Sequence, residues 1–140
     1  DEKNTGEKSS AVAGDLEDIA NLLIDEGNYA EAESKLKVAI EILEKDPEAT
    51  DKTFVVYAKL ALGRCLMHQD KRLDEAVKLL SETEFLFEQA DIDNEAYAMR
   101  VAQTYDQTLK KLGRAKEADE FNQRISVARK NAYGGAYAPL

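Results

Sequence analysis

The sequence predicts an all-α domain built from three stacked helix-turn-helix repeats. Three observations carry this. Apolar residues recur at helical spacing along six segments, and no run alternates as a strand would. The motif GNYAEAESKLKVA from Gly27 is echoed as KRLDEAVKLLSET from Lys71 and as GRAKEADEFNQRI from Gly113. The central alanines of the echoes, Ala32, Ala76 and Ala118, are 44 and then 42 residues apart. A helix pair this short cannot bury its apolar stripe alone, so the copies must stack.

The polar start, to about Ser10, reads as a flexible leader. A first helix over 11–26 gathers Leu16, Ile19, Ala20, Leu22 and Leu23 into one stripe, and Gly27 stops it because glycine takes the left-handed conformation at no steric cost. The second, Tyr29–Lys45, aligns Ala32, Leu36, Ala39, Ile40 and Leu43 and is closed by Pro47. Ala20, Ala32 and Ala39 are small enough to let antiparallel helices approach. After a connection at 46–50, a third helix spans 51–69, with Phe54, Val55, Ala58, Leu62 and Leu66 in its stripe. The fourth, 73–89, turns Ala76, Leu79, Leu80, Phe87 and then Ala90 inward. The fifth starts near Asp93, where Asp91 or Asp93 can cap it, and ends before Gly113. The sixth, 114–131, has a thin stripe of Ala115, Ala118, Phe121, Ile125 and Ala128, as suits the end of a stack. Gly134, Gly135 and Pro139 prevent the tail, 132–140, from continuing the helix; its Tyr133, Tyr137 and Leu140 either fold back or stay flexible. The repeat domain is therefore 11–131, with repeats near 11–46, 51–90 and 93–131.

This pattern resembles the tetratricopeptide repeat family. Repeat one matches at Leu16, Ile19, Ala20, Leu23, Gly27, Tyr29, Ala32, Leu36 and Ala39. Repeat two matches at Leu62, Gly63, Leu66, Leu73, Ala76 and Leu80, with one extra residue in its Asp70–Arg72 turn and Thr83 for the final alanine. Repeat three matches at Ala102, Tyr105, Leu109, Gly113 and Ala118, with Asn122 replacing the large residue. The resemblance implies a right-handed α-solenoid whose first helices line a concave, protein-binding groove. The spacing exceeds the commonest repeat of about 34 residues. In that it is similar to the long-repeat branch of kinesin light chains and of plant and bacterial regulatory adaptors. That branch implies a cargo adaptor, or a plastid regulator that binds glutamyl-tRNA reductase and restrains tetrapyrrole synthesis.

Charge is uneven along the chain. Residues 1–53 carry 15 acids and 6 bases, 54–97 carry 9 and 5, and 98–140 carry 4 acids and 8 bases. The result is a negative first third and a positive last third, which either orients a partner or simply solvates helix faces. Pairs such as Glu31–Lys35 and Glu41–Lys45 have the spacing for helical ion pairs. Acidic pairs such as Asp15–Asp18 and Glu31–Glu33 read as exposed helix starts. No basic stripe with interleaved aromatics points to nucleic acid, and no stretch reaches the roughly 18 apolar residues of a membrane helix. One cysteine, Cys65, forbids an intramolecular disulfide and suits a reducing, intracellular setting.

No catalytic constellation stands out. His68 is the sole histidine, three residues after Cys65, and nothing supplies a third, orienting group. Cys65 reads as a small buried hydrophobe. No phosphate loop, metal-spaced cluster or cofactor motif occurs, so neither an enzyme nor a cofactor is expected.

The expected site is the groove of the first helices. Stacking the copies aligns Glu17 with Leu60 and Gln103, then Asn21 with Arg64 and Gln107. Below them come Ile24, Met67 and Lys110, then Asp25, His68 and Lys111, while Tyr57 and Arg100 sit at the mouth. The strip Tyr57, Leu60, Arg64 and Met67 offers hot-spot residue types. By the resemblance, Hsp70 and Hsp90 carboxylate binding would need Lys at Glu17, Asn at Arg64 and Arg at Thr104. A glutamate facing a carboxylate repels it, so the carboxylate clamp is not expected. The groove then suits a helical or extended segment of another protein; the second reading is an element that stacks copies into oligomers.

Overall fold

A computed structural model describes residues 5–46, 53–70, 72–89 and 95–132, which form six α-helices and no strand. These are α1 (Thr5–Asp25), α2 (Tyr29–Lys45), α3 (Thr53–His68), α4 (Leu73–Gln89), α5 (Glu95–Lys111) and α6 (Ala115–Ala132). The chain is all-α. Helix α1 begins at Thr5, so residues 5–10, read above as flexible leader, are helical. The caps expected of Pro47, Asp91 and Asp93, and the tail from Tyr133 onward, lie outside the described residues.

The turns inside the repeats have one geometry. Gly27 and Gly113 take left-handed backbone at φ 82° and 76°, and Asp70 does so at φ 57°. Around Gly27 the amide of Asn28 donates to the Leu23 carbonyl at 2.8 Å and that of Gly27 to Ile24 at 3.0 Å. Around Gly113 the amide of Arg114 donates to Leu109 at 2.8 Å and that of Gly113 to Lys110 at 3.0 Å. Both satisfy carbonyls that a helix end leaves open. The three left-handed residues are 43 positions apart. First helices thus keep a strict 43-residue register, and the extra residue of repeat two falls just before α4, where the sequence places it.

Each helix packs on its chain neighbours, and the first helices of the repeats also pack on one another, α1 on α3 and α3 on α5. Helices α2, α4 and α6 do not pack their backbones together among the described residues, although Arg124 of α6 reaches Glu84 of α4 at 3.5 Å. The stack is therefore closed on the side of α1, α3 and α5. Its core holds the small residues that the repeat requires: Ala20, Ala32, Ala39, Ala58, Ala76 and Ala118 are buried. Leu36, Leu62, Leu66 and Cys65 fill the space between the first two pairs, and Leu60, Leu80 and Val101 the space between α4 and α5. Gly63 lets α4 come close: a Cβ there would stand 2.7 Å from Leu80 Cδ2. In repeat three Asn122 is half-buried and donates to Asp106 at 2.8 Å, while Phe121, one residue earlier, is buried edge-on against Tyr105. The large residue has moved by one position rather than vanished.

Two stripe assignments change. Ile19 and Leu22 of α1 are exposed, as is Phe54 at the edge of α3, because none of the described residues packs on those sides. Glu33, read above as part of an exposed acidic pair, is buried. It accepts from Lys37, Gln69 and Arg72, so it bridges α2 to the turn before α4. Among the described residues the ion pairs at helical i,i+4 spacing are Lys37–Glu33, Lys45–Glu41 and Lys110–Asp106; Glu31–Lys35 is not one of them.

Candidate functional site

The 43-residue register puts Asn21, Arg64 and Gln107 at one level, one residue from each first helix. Around that level a cleft of about 440 Å³ opens on α1, α3 and α5. Asn21 and Asp25 line it from α1, and Arg64, Met67 and His68 from α3. The α5 wall is Arg100, Gln103, Thr104 and Gln107. A smaller notch of about 20 Å³ continues it past Glu17, Tyr57, Leu60 and Ala61, again between Arg64 and Arg100. The wall is mostly hydrogen-bonding side chains with two guanidinium groups, chemistry that reads a polar, extended segment better than an apolar helix face.

Arg64 occupies the centre of this surface. It projects from the middle helix into both cavities, is half-buried, and forms no ion pair among the described residues. At one end Glu17 is half-buried. Burial pushes its carboxyl up to about 7, and Asp18 adds to the rise. At the other end His68 stacks on Tyr29, with ring centroids 4.8 Å apart and planes 10° apart. Desolvation lowers the His68 pKa, as do Arg64 and Lys111. The imidazole is therefore a neutral wall of the cleft near pH 7.

Ten of the twelve expected groove residues line these two cavities: Glu17, Asn21, Tyr57, Leu60, Arg64, Met67, His68, Arg100, Gln103 and Gln107. Leu60 and Met67 do so only from below. They are 2% and 3% exposed, with Leu60 packed among Leu80 and Val101, so they form the floor and are not projecting anchors. The two lysines turn elsewhere. Lys110 pairs with Asp106 at 3.1 Å on its own helix, and Lys111 pairs with Asp70 at 2.7 Å, tying α5 to the α3–α4 turn. Register alone placed them in the groove, because it cannot see that a neighbouring carboxylate competes for the side chain. Thr104 joins the wall, while its hydroxyl donates to the Arg100 carbonyl at 2.7 Å.

Cys65 does not reach the cleft. It is wholly buried, and burial pushes its thiol up to about 12, with Glu33 adding to the rise, so it stays protonated. Among the described residues no group of three or more His, Cys, Asp or Glu is placed to hold a metal, and no helix is long and apolar enough to cross a membrane.

Fold and cleft together define an all-α chain of neighbouring helix pairs with a polar, arginine-centred cleft along α1, α3 and α5. Comparisons with known protein families, with curated proteins and with solved structures find no match to this chain.

Proposed function

We propose that this chain is a non-catalytic interaction module of the tetratricopeptide kind, which docks a segment of another protein in the cleft along α1, α3 and α5. The observation that carries the reading is Arg64: a guanidinium in the middle repeat, without an ion pair among the described residues, flanked by Asn21, Gln103 and Gln107. A guanidinium so placed has donors to offer a carboxylate, and the three amides around it suit an extended backbone. The occupant proposed is an extended segment carrying an acidic side chain at the Arg64 level. Glu17 on the rim works against a second carboxylate once it is ionised, which disfavours a chaperone C-terminal carboxylate of the Hsp70 or Hsp90 type.

The test is fluorescence anisotropy with labelled peptides that differ only in Asp/Glu against Asn/Gln. Arg64→Ala should weaken the acidic peptides more than tenfold, about 1.4 kcal/mol, with circular dichroism and the melting midpoint unchanged. Because Glu17 loses its charge as pH falls through about 7, acidic peptides should bind more tightly at pH 6 than at pH 8. Equal binding of acidic and neutral peptides, or binding that survives Arg64→Ala with Tyr57→Ala, moves the site off this cleft.

A further inference from the structure

The apolar residues left uncovered on α1 share one side of that helix. Val12, Ile19 and Leu22 are 49%, 45% and 64% exposed, with the carboxylates of Asp15 and Asp18 exposed between them. The 43-residue register explains the pattern. Counted forward by one repeat, Val12, Ile19 and Leu22 become Val55, Leu62 and Cys65 of α3, and Asp15 and Asp18 become Ala58 and Ala61. In α3 this face is covered: Leu62 and Cys65 share a core with Leu36 and Ile40 of α2, and Val55 packs with Ala39 and Leu43. One further repeat on, Val101 and Tyr105 of α5 meet Leu80 of α4. Each later repeat therefore uses this face to receive the second helix of the repeat before it. On α1 the same face is built and open.

The matching donor is the second helix of the last repeat. Helix α2 is taken by α3 and α4 by α5, whereas among the described residues α6 packs its length on α5 and reaches α4 through the Arg124–Glu84 pair at 3.5 Å. Charge selects between candidates for the open seat. The two carboxylates that replace alanines on α1 would repel most of this acidic chain, but α6 ends in QRISVARKNA, which has no acid and, besides Arg124 paired to Glu84 of α4, carries Arg129 and Lys130. Residues 1–53 carry a net charge of −9 and residues 98–140 a net of +4. We propose that the open face of α1 seats α6 of a second copy, so that the chain associates head to tail. Such a contact joins two different surfaces, and each added copy exposes a fresh α1 or α6. Association through it is open-ended. It uses the outer face of α1 and leaves the cleft free.

Sedimentation velocity of the 140-residue chain over a wide concentration range tests this. The mass should rise above 15.6 kDa without levelling at a dimer. Ile19→Glu with Leu22→Glu should abolish the rise, and so should Arg129→Glu with Lys130→Glu. Mixing these two blocked chains should restore a single 1:1 dimer and nothing larger, since one keeps a good α6 and the other a good α1. Ile19 and Leu22 are exposed, so circular dichroism should not change; should the glutamates cost folding, Ile19→Ser with Leu22→Ser replaces them. A chain that stays monomeric at every concentration overturns the proposal. So does a mass that levels at a dimer sensitive only to the α1 changes, which would mean a two-fold α1–α1 pair, and so does failure of the blocked chains to pair.

Discussion

Glu33→Gln offers a measurable test of how the first two repeats are joined. Glu33 is 9% exposed, and its carboxylate accepts from Gln69 at 2.9 Å, from Lys37 at 2.8 Å and from Arg72, three donors on two different elements. Desolvation would raise its pKa, but these hydrogen bonds outweigh it and hold the group at about 2 against an ordinary 4.5. A gap of that size corresponds to about 3 kcal/mol of preference for the ionised form in the folded state. The side chains of Lys37 and Arg72 are 53% and 34% exposed, so water takes up part of what the carboxylate gives up. We therefore expect Glu33→Gln to cost roughly 1–2 kcal/mol at pH 7, well inside that ceiling. Because the folded pKa is depressed, the contribution is complete above about 4.5 and is lost as pH falls from there toward about 2. Urea unfolding of both chains at pH 7, 5, 3.5 and 2.5 should show two curves that converge on acidification. A gap below about 0.3 kcal/mol at pH 7, or one that stays constant with pH, would refute the reasoning.

Three further substitutions separate packing from backbone. Gly63→Ala gains about 1 kcal/mol of helix propensity, but the new Cβ meets buried Leu80 at 2.7 and 2.9 Å, an overpacking that costs about 1–3 kcal/mol. The melting midpoint should fall; a rise would show that α4 yields freely. At the left-handed turns the size of the effect should differ between repeats. Gly27→Ala meets no neighbouring atom, so its cost of about 1–2 kcal/mol is purely backbone. Asp70→Gly relieves the same strain and gives up only an exposed ion pair to Lys111, so denaturant titration should show little change, within about 0.5 kcal/mol.

The helices were legible because their evidence is local. Glycine at 27 and 113 and alanine at 32, 76 and 118 each report a backbone conformation or a close approach without reference to anything distant. What escaped depends on partners elsewhere in the chain. An apolar stripe says that a helix has an inner side, but Ile19 and Leu22 belong to a second apolar side that no described residue covers. Glu33 looks like any surface acid until Arg72, 39 positions on, is brought beside it. Leu60 and Met67 share a helix face with Arg64, yet aliphatic side chains at the edge of that face sink toward the neighbouring pair while the guanidinium stays at the surface. The leader was read as flexible from its polarity, although its Glu and Lys are good helix formers and α1 simply extends through them.

The packing order has a mechanical consequence. Helix α3 touches α1, α2, α4 and α5, whereas α6 packs on α5 and reaches α4 only through the exposed Arg124–Glu84 pair, and no contact joins the first pair to the last among the described residues. A molecule tied together only along its length behaves as a spring. Its ends can open while the centre holds, so amide exchange should be slowest in α3 and fastest toward α6. Bending the spring widens or narrows the distance from α1 to α5, and the cleft takes its walls from both. A ligand gripped by Asn21 on one side and Gln107 on the other would therefore stiffen the whole stack, and any force on the ends would be felt as a change in grip.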